Sequence, residues 1–561
     1  MTRGGAALVA LATPLLAVLL WAAPAEAHAY AVSTDPANGS QLQTAPSAVR
    51  VTFDEPVTLP PAPDAASVIG EDGGRVDTGQ ARLEPGRRTL IITVRAGLPH
   101  GVYIVSWSVV SADTHPVGGS MQFGYGVPAA AVSAPTAGSA PSTGWELAVA
   151  ATKALVYLGL VAAVGLVPAA LVLGAERRER KILWRAARIG AAVAAAGSVA
   201  QVVVQYQWQS SATRGGPSWT GLAGFAESSY ATAVWVRLAL VGAAVLVLPP
   251  WNRLAPRRIR WTVGGLLALA TLGSVVHNGH GGGGPWWQFA STLLHVAAMT
   301  AWLGGLATLG WLLLRRRIAG RRLRRLPLWS VYAAVAVAVL LTSGLVQSVV
   351  EVRFPGALTS TTYGFVLVAK VLLVCVALAL GYTGNRWIRR EIALAGSLDA
   401  DARPAPGQTA RLRGRVRLEA AAGVAVVVVS GVLSSITPAE AAYAPQQQIR
   451  TAIGPFAVTI GIAPVRRGPQ SFRITVAGRT DATPLAQSLQ LQLRQPDGPV
   501  RALEVRFPYR LPGEIRPGVP TPITFPSTTV NVPSAGSWTG TLTVVAGRTQ
   551  QYTTIFDFRV Y

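Results

Sequence analysis

The residues best suited to chemistry in this chain are its histidines, of which there are only six in 561 residues. Arg3 and an apolar stretch from Ala6 to Ala23 precede Ala25-Glu26-Ala27, which is the pattern of a signal peptide with its cleavage site. Cleavage there removes residues 1–27 and leaves His28 as the first residue of the mature chain. A free amine of pKa about 7.7–8.0 and an imidazole on one residue can chelate a metal together near neutral pH. The alternative is that a histidine merely happens to come first.

A second pair of metal-ligand type lies further along the same region. Asp113 and His115 are two residues apart, so on an extended segment their side chains project to the same side. Imidazole and amine nitrogens with a carboxylate oxygen suit tetragonal Cu(II). The D-x-H spacing is common by chance, so by itself it is a half-site only.

The other candidate histidines lie in strongly apolar surroundings. His277 and His280 follow one apolar stretch, and His295 lies about nine residues into the next, with Met299 and Trp302 at i+4 and i+7 on the same face. Polar residues within a membrane span are costly and are functional candidates by default. We therefore predict that His277, His280, His295 and Met299 share a copper site. The alternative is that the first two are interfacial and His295 bonds to a neighbouring helix.

Deeper in the same stretches the sequence offers sulfur and, separately, positive charge. Met299 and Cys375 each lie about 13 residues from the outer end of a predicted span, roughly 20 Å at the helical rise. Soft sulfur ligands suit Cu(I), although both residues are more often packing side chains. Lys153, Arg237 and Lys370 form a positive band that would repel a cation unless it is paired, or would face an anion such as haem propionates.

The composition shows which elements must position these residues. Hydrophobic residues make up 50% of the chain and charged residues only 13%, against roughly 25% charged in ordinary soluble domains. Spanning helices need about 20 apolar residues. Eight stretches qualify, at roughly 145–174, 184–206, 230–250, 261–277, 287–314, 328–350, 362–384 and 416–437.

The charge distribution gives the topology of these spans. Lys and Arg cluster in alternate loops, and positive loops stay in the cytoplasm, so both ends of the membrane domain are predicted to face outward. The net charge of +24 is therefore a topology feature, and nucleic acid is excluded as a partner. No phosphate-binding G-x-x-x-x-G-K-S/T occurs, which argues against ATP-driven pumping. One cysteine excludes an intramolecular disulfide.

The remaining parts of the sequence alternate apolar and polar residues between turn residues. This pattern predicts an all-β sandwich or barrel at residues 28–127 and an all-β sandwich at residues 445–561. Residues 128–143 are a Pro-punctuated linker, and residues 144–437 form the eight-helix membrane domain. The last domain contains no His, Cys or Met, so no copper site is assigned to it.

Several motifs of the first domain resemble those of the periplasmic copper-binding CopC family. They are the segment opening with His28-Ala-Tyr-Ala-Val-Ser-Thr-Asp-Pro, the central Val51-Thr-Phe-Asp-Glu-Pro-Val, and Tyr103-Ile-Val-Ser-Trp through Ser111-Ala-Asp-Thr-His-Pro-Val-Gly-Gly. The resemblance covers nearly the whole domain and implies that His28, Asp113 and His115 bind Cu(II). The Cu(I) site of that family uses a Met-rich loop, whereas this domain has only Met121, which favours a Cu(II)-only version.

The second half of the membrane domain resembles the inner-membrane copper protein family CopD. The matching segments are Leu293-Leu-His-Val-Ala-Ala-Met-Thr-Ala-Trp-Leu-Gly-Gly, Thr342-Ser-Gly-Leu, Pro355-Gly-Ala-Leu-Thr-Ser-Thr-Thr-Tyr-Gly, and Lys370 to Asn385-Arg386. The whole chain is similar to bacterial fused CopC–CopD proteins of the YcnJ copper-uptake type, with an additional β-domain. The resemblance implies copper acquisition or homeostasis at the plasma membrane, with both β-domains outside the cytoplasm.

The leading hypothesis is therefore a non-enzymatic transporter: the exported domain captures Cu(II), and the membrane domain passes copper inward. Its partners would be copper ions, the lipid bilayer and extracytoplasmic copper chaperones. Two alternatives stay open, a haem-binding membrane oxidoreductase that reduces copper and a copper-buffering or resistance protein that moves nothing. A copper monooxygenase fits least, because Asp113 fills a position that such chemistry leaves open.

Overall fold

The structure is a computed structural model, and a defined part of the chain can be described from it. The described residues are 29, 31–53, 55–60, 65–111, 116–129, 143–211, 218–247, 256–279, 285–314, 325–395, 406–480, 483, 485–496, 498, 500–507, 510–512, 521–528, 530–547 and 550–561.

The first domain is built from two four-stranded sheets. Its strands are β1 (Ala31–Asp35), β2 (Gln41–Leu42), β3 (Ala48–Phe53), β4 (Ala66–Ile69), β5 (Asp77–Leu83), β6 (Thr89–Val94), β7 (Gly101–Val110) and β8 (Pro116–Tyr125). The strand orders are β1-β3-β6-β5 and β2-β8-β7-β4. Alternate residues of the strands point inward, so Val51, Phe53, Leu90, Val105 and Phe123 form a shared core. The predicted all-β fold is confirmed.

The central region is helical. Its helices are α1 (Thr143–Leu160), α2 (Leu166–Val172), α3 (Arg177–Ser211), α4 (Trp219–Ala226), α5 (Ser229–Val247), α6 (Arg257–His277), α7 (Trp286–Leu314), α8 (Leu326–Val352), α9 (Ala357–Ser360), α10 (Thr362–Ala395), α11 (Pro406–Leu433) and α12 (Ala439–Ala442). A π-helical segment, Val161–Gly165, joins α1 to α2 and makes them one continuous span.

Eight of these helical stretches are long and apolar enough to cross a membrane. They are Leu147–Val172, Arg177–Ser210, Ser229–Leu246, Arg258–His277, Trp286–Leu312, Leu326–Val352, Thr362–Thr383 and Val416–Leu433. Each coincides with one of the eight apolar stretches predicted from the sequence, which confirms the helical membrane region. The span in α7 is the most buried of the eight, so α7 is the central helix of the bundle.

The last part of the chain is a second β structure. Its strands are β9 (Gln447–Ile453), β10 (Phe456–Ala463), β11 (Gly468–Gly478), β12 (Ala486–Arg494), β13 (Leu503–Val505), β14 (Leu511–Pro512), β15 (Ile523–Pro526), β16 (Val530–Val532), β17 (Gly536–Ala546) and β18 (Gln550–Val560). One sheet runs β14-β15-β11-β10-β9 with β16 on β11, and the other runs β13-β12-β17-β18. Phe456, Phe472 and the fully buried Trp538 lie in the core of this domain. This confirms the predicted C-terminal β fold.

Candidate functional site: one end of the first domain and a histidine within the bundle

Strand pairing brings two distant parts of the first domain to the same end. The start of β1 lies beside the end of β3, because Ala31 pairs with Phe53. Five residues beyond Phe53, Thr58 exchanges backbone hydrogen bonds of 2.7 and 2.8 Å with Val110, the last residue of β7. Val110 in turn pairs with Pro116, the first residue of β8. The beginning of β1 and the connection between β7 and β8 therefore lie at one end of the domain.

The three predicted Cu(II) ligands, His28, Asp113 and His115, lie outside the described residues. In the sequence His28 stands three residues before Ala31, and the D-x-H pair stands between β7 and β8. The described strands that flank these ligands in the sequence thus meet at one end of the domain. A metal site shared by the three ligands requires this arrangement.

A buried acid at the same end was not singled out from the sequence. Glu55 follows β3 and is only 9% exposed, and it is engaged by another polar or charged group. A buried carboxylate requires such compensation, and its negative charge favours a cation close by. The sequence contained a clue, because Glu55 stands inside the Val51–Val57 motif, where two adjacent acids, Asp54 and Glu55, follow the apolar residues of β3.

In the membrane region the predicted ligand His295 lies in α7 and faces α8. Its Nδ1 is 3.0 Å from Oγ of Ser343, and both groups are partly buried. Gly344 makes this approach possible, because a Cβ at that position would lie 3.2 Å from Cε1 of the imidazole. The imidazole is therefore held against α8 by one hydrogen bond and one close contact.

The hydrogen bonds of Ser343 are satisfied together by one tautomer of this imidazole. The hydroxyl of Ser343 lies within hydrogen-bond distance of the carbonyl of Val339 in its own helix. When the hydroxyl donates there, its oxygen accepts from His295, which corresponds to the tautomer with the proton on Nδ1. The Nε2 atom of the neutral ring then keeps its lone pair, which is the form in which histidine binds metals, and a hydrogen bond at the other nitrogen orients the ring.

Met299 lies one helical turn below His295, as the sequence spacing predicted. It is 8% exposed and packs in the bundle core together with Trp302. Further along α7, Leu303, Leu306, Leu309 and Leu312 are buried and apolar, and the buried Thr300 and Thr308 donate their hydroxyls to backbone carbonyls of the same helix. Met299 is therefore the last His, Cys or Met of α7, about halfway along the helix.

The other predicted members of the membrane site are placed differently. His277 is exposed at the C-terminal end of α6, and His280 lies outside the described residues. Cys375 is exposed on α10, whereas Met299 is buried, so the structure does not bring these two sulfur atoms into one core position. Within the described ranges, no three His, Cys, Asp or Glu side chains are grouped as they would be around a metal.

The basic band predicted from the sequence lies inside the bundle. Arg237 is only 1% exposed, and its guanidinium donates to Oγ of Ser198, Oε1 of Gln201, and both Oγ and the carbonyl of Ser274, at 3.0 to 3.3 Å. Lys153 donates to the carbonyl oxygen of Ser434. In the described part of the chain, the acceptors recorded for Arg237 are all neutral.

Lys370, the third member of the band, has a different environment. It lies on α10 within electrostatic reach of Glu351, at the C-terminal end of α8. It is also within electrostatic reach of His295. A cation near His295 would therefore meet a lysine whose charge is offset by Glu351, rather than an isolated positive charge.

Comparison with known proteins identifies two parts of the chain. The family model of the CopC domain matches residues 31–126. The family model described as copper resistance protein D, or CopD, matches residues 323–433. The chain is 27% identical over 479 residues to the copper transport protein CutJ of Bacillus subtilis, covering 80% of this chain and 82% of that one.

Shorter relatives match the first domain alone. Copper resistance protein C of Pseudomonas syringae pv. tomato is 31% identical over 126 residues, which are 20% of this chain and 90% of that protein. The crystal structure of PcoC, a methionine-rich copper resistance protein from Escherichia coli, is 30% identical with a TM-score of 0.15, covering 18% of this chain and 99% of that one. With a CopC domain and a CopD domain on one polypeptide, the chain belongs to the fused CopC–CopD proteins.

Proposed function

We propose that this chain acquires copper at the bacterial plasma membrane, with the first domain capturing Cu(II) and the membrane domain passing copper inward. Relatives named for copper transport and copper resistance support the metal. The observation that carries the membrane step is His295, a metal-binding side chain inside a spanning helix whose Nδ1 lies 3.0 Å from Oγ of Ser343.

Capture uses the end of the first domain where β1 begins and β7 meets β8. His28 supplies an amine and an imidazole, His115 a second imidazole and Asp113 a carboxylate oxygen, a donor set that suits tetragonal Cu(II). Glu55 adds a negative charge at this end. The pairing of Thr58 with Val110 supports this assignment, because Thr58 follows β3, the partner of β1, and Val110 precedes the segment that carries Asp113 and His115.

The proposed topology follows from the loops of the membrane domain. Residues 1–27 act as a signal peptide, and the Arg- and Lys-rich loops stay in the cytoplasm. Residues 28–127 and 445–561 then lie outside the cytoplasm on either side of the membrane domain at 144–437. Extracytoplasmic copper chaperones would be the donors to the first domain.

The membrane step begins at the outer half of α7. His277 ends α6, His280 follows it in the sequence, His295 lies deeper in α7, and Met299 is one turn below it. Imidazole binds either oxidation state of copper, whereas a thioether favours Cu(I). This order of ligands fits copper that enters from outside and becomes more weakly hydrated with depth.

The first prediction tests this membrane step with His295→Ala. We expect cells expressing the wild type under limiting copper to accumulate several-fold more copper, measured by mass spectrometry, than cells expressing the variant. Cu(II) binding by the first domain is expected to be unchanged. Leu294→Ala is the matched control, because Leu294 is the neighbouring residue and is 49% exposed. Equal accumulation by wild type and His295→Ala would reject the membrane site.

Arg237 favours a second candidate, a haem-binding membrane oxidoreductase that reduces copper. A buried guanidinium with neutral acceptors favours an anion close by, and haem propionates are such anions. The absorption spectrum of the purified protein separates the two candidates, since a Soret band supports haem. A colourless protein that raises cell copper supports transport, and one that binds copper without changing cell copper supports buffering.

A further inference from the structure

Three side-chain contacts show how α7 and α8 are aligned along their shared interface, which we call the α7–α8 seam. Tyr332 donates to the carbonyl of Ala301 at 3.2 Å in the inner half. Further out, Ser291 lies 3.5 Å from the carbonyl of Ser343, whose hydroxyl contacts His295. The helices run antiparallel, so moving outward means descending residue numbers in α7 and ascending numbers in α8. Residues one turn outward of Ser291 and of Ser343 therefore lie at the same level.

Two glutamines occupy this level, and each has a buried atom without a hydrogen-bond partner among the described residues. Gln288, in the first turn of α7, is 5% exposed, and the orphan atom is Oε1. Gln347, one turn beyond Ser343 in α8, has an orphan Nε2. One atom is an acceptor and the other a donor. Within a membrane region such groups are costly unless protein or water satisfies them.

Both glutamines lie on the faces that carry the histidine contact. Gln288, Ser291 and His295 are spaced by three and four residues, so they share one face of α7. Gln347 is four residues from Ser343 and shares its face of α8. The result is a polar strip from the outer end of the seam down to His295, closed below by the buried Trp302 and Leu306.

We propose that the outer half of the α7–α8 seam is a water-filled entrance, lined by Gln288 and Gln347, that leads to Nε2 of His295. Ordered water makes two to four hydrogen bonds to polar groups, and an amide acceptor opposite an amide donor supplies two of them. A hydrated cation entering here would exchange its water for the imidazole. The identity of the cation as copper rests on the proposed function, whereas the entrance itself does not.

Cysteine accessibility tests the entrance directly. The chain has one cysteine, so Cys375→Ser gives a background without thiols. In that background Gln288→Cys, Ser291→Cys and Gln347→Cys are treated in intact cells with a charged, membrane-impermeant methanethiosulfonate. Thiols form the reactive thiolate readily in water and poorly in apolar surroundings, so we expect labelling at least about tenfold faster than at the controls.

Two control positions for cysteine represent environments other than the entrance, namely the packed interior of the bundle and its outer surface. Leu306, on α7 below His295, is 3% exposed, whereas Leu345, on α8 two residues from Gln347, is 54% exposed on the surface of the bundle. Having three probe positions protects the test against one variant that fails to fold. Labelling at all three no faster than at the controls would overturn the entrance.

Copper uptake then separates the entrance from the proposed cargo. The double variant Gln288→Leu with Gln347→Leu replaces both amides by apolar side chains, and we expect several-fold lower copper accumulation with unchanged Cu(II) binding by the first domain. Fast labelling together with unchanged accumulation would keep the aqueous entrance and reject copper as its cargo. Slow labelling rejects the entrance whatever the uptake.

Discussion

Asp77 is a buried carboxylate of the first domain whose charge is held by several donors at once. It is 1% exposed and accepts from the backbone amides of Val68 and Gly79 at 2.9 and 2.8 Å and from the Arg75 guanidinium at 2.9 to 3.1 Å. Burial alone would raise the pKa of Asp77, but the hydrogen bonds and the charge of Arg75 outweigh it, so the pKa is lowered. Asp77 therefore ties the ends of β4 and β5 together as an anion.

This lowered pKa makes the stability of the first domain depend on pH. A carboxyl with a depressed folded-state pKa stabilises the fold above its unfolded pKa, about 3.9, and the contribution is lost as the pH falls through the folded-state value. We expect Asp77→Asn to lower the free energy of unfolding by about 1–3 kcal/mol at pH 7. Urea unfolding of residues 28–127 across pH measures this.

The outcome at acidic pH is the discriminating part of this prediction. Wild type and Asp77→Asn should converge in stability as the pH falls below about 3.9. Asp72→Asn is the control, because Asp72 is exposed and accepts one bond from Gly74 in its own turn. A stability difference that persisted unchanged at low pH would show that the charge of Asp77 is not what stabilises the domain.

The mature N-terminus is the second residue on which the capture step depends. If the His28 amine and imidazole chelate Cu(II) together, one extra residue before His28 converts the amine into an amide and removes a ligand. We expect the Cu(II) affinity of the first domain to fall more than about tenfold, because only the deprotonated amine binds the metal. Isothermal titration of the extended and native domains measures it, and equal affinities would remove the N-terminal amine from the site.

At the scale of elements, the π-helical segment of the first span makes the closest backbone approach to the central helix. A Cβ on Gly165 would lie 1.9 Å from the carbonyl oxygen of Thr300, and a Cβ on Gly304 would collide with Gly165 itself. Both positions therefore need glycine because the two backbones touch. This contact lies at the depth of Met299, because Thr300 is the next residue of α7. π-Helical segments recur at functional positions of helices.

We expect Gly165→Ala to destabilise the membrane domain, because the added methyl group cannot fit without moving a backbone. The expected cost is about 1–3 kcal/mol, as for overpacking elsewhere, seen as a lower unfolding temperature in detergent. Gly242→Ala on α5 is the matched control, since nothing lies within 4 Å of a Cβ there. In that open helical position alanine should be neutral or stabilising by up to about 1 kcal/mol. Equal melting of the two variants would contradict this packing.

These elements also show how far the sequence could be interpreted. The eight spans followed from the length of apolar stretches, and His295 and Met299 followed from helical spacing, because both depend on local sequence alone. The partner of His295 could not be predicted. Ser343 is 48 residues away, and only the packing of α7 against α8 brings it to the imidazole. The stretch that contains Cys375 is apolar around the whole helix, so its sequence does not show which face packs against other helices. That Cys375 is exposed could therefore not be predicted.

At the scale of the whole molecule, the C-terminal domain contacts both of the other parts. Asn531 of β16 donates a hydrogen bond to the backbone carbonyl of Val32 in β1 of the first domain. On the membrane side, Tyr561 packs edge-on against Phe354, in the loop between α8 and α9, with ring centroids 5.5 Å apart. The last domain therefore contacts both the strand that follows the proposed capture site and the loop at the C-terminal end of α8.

That loop is held by a compact set of contacts. Phe354 stacks on Tyr443 with centroids 5.5 Å apart, and the guanidinium of Arg353 lies over the ring of Phe354 at 5.4 Å. Arg353 also pairs with Glu440, which is in α12. Arg353 has a positive φ of 52°, a conformation that non-glycine residues adopt only when their surroundings hold it. The loop is thus fixed by the segment that leads into the last domain.

The contacts between this loop and the segment leading into the last domain, which we call the joint, can be tested. Each aromatic pair contributes about 0.5–1.5 kcal/mol beyond the area it buries, so Phe354→Ala should loosen the loop between α8 and α10 without unfolding the bundle. We expect faster amide hydrogen exchange in residues 353–361, and lower copper uptake if the position of the last domain matters for delivery from β1 to α7. Ile555→Ala, on an exposed position of β18, is the control and should change neither. Unchanged exchange in Phe354→Ala would show that the aromatic contacts do not hold the loop, whereas faster exchange with normal uptake would show that delivery does not depend on this joint.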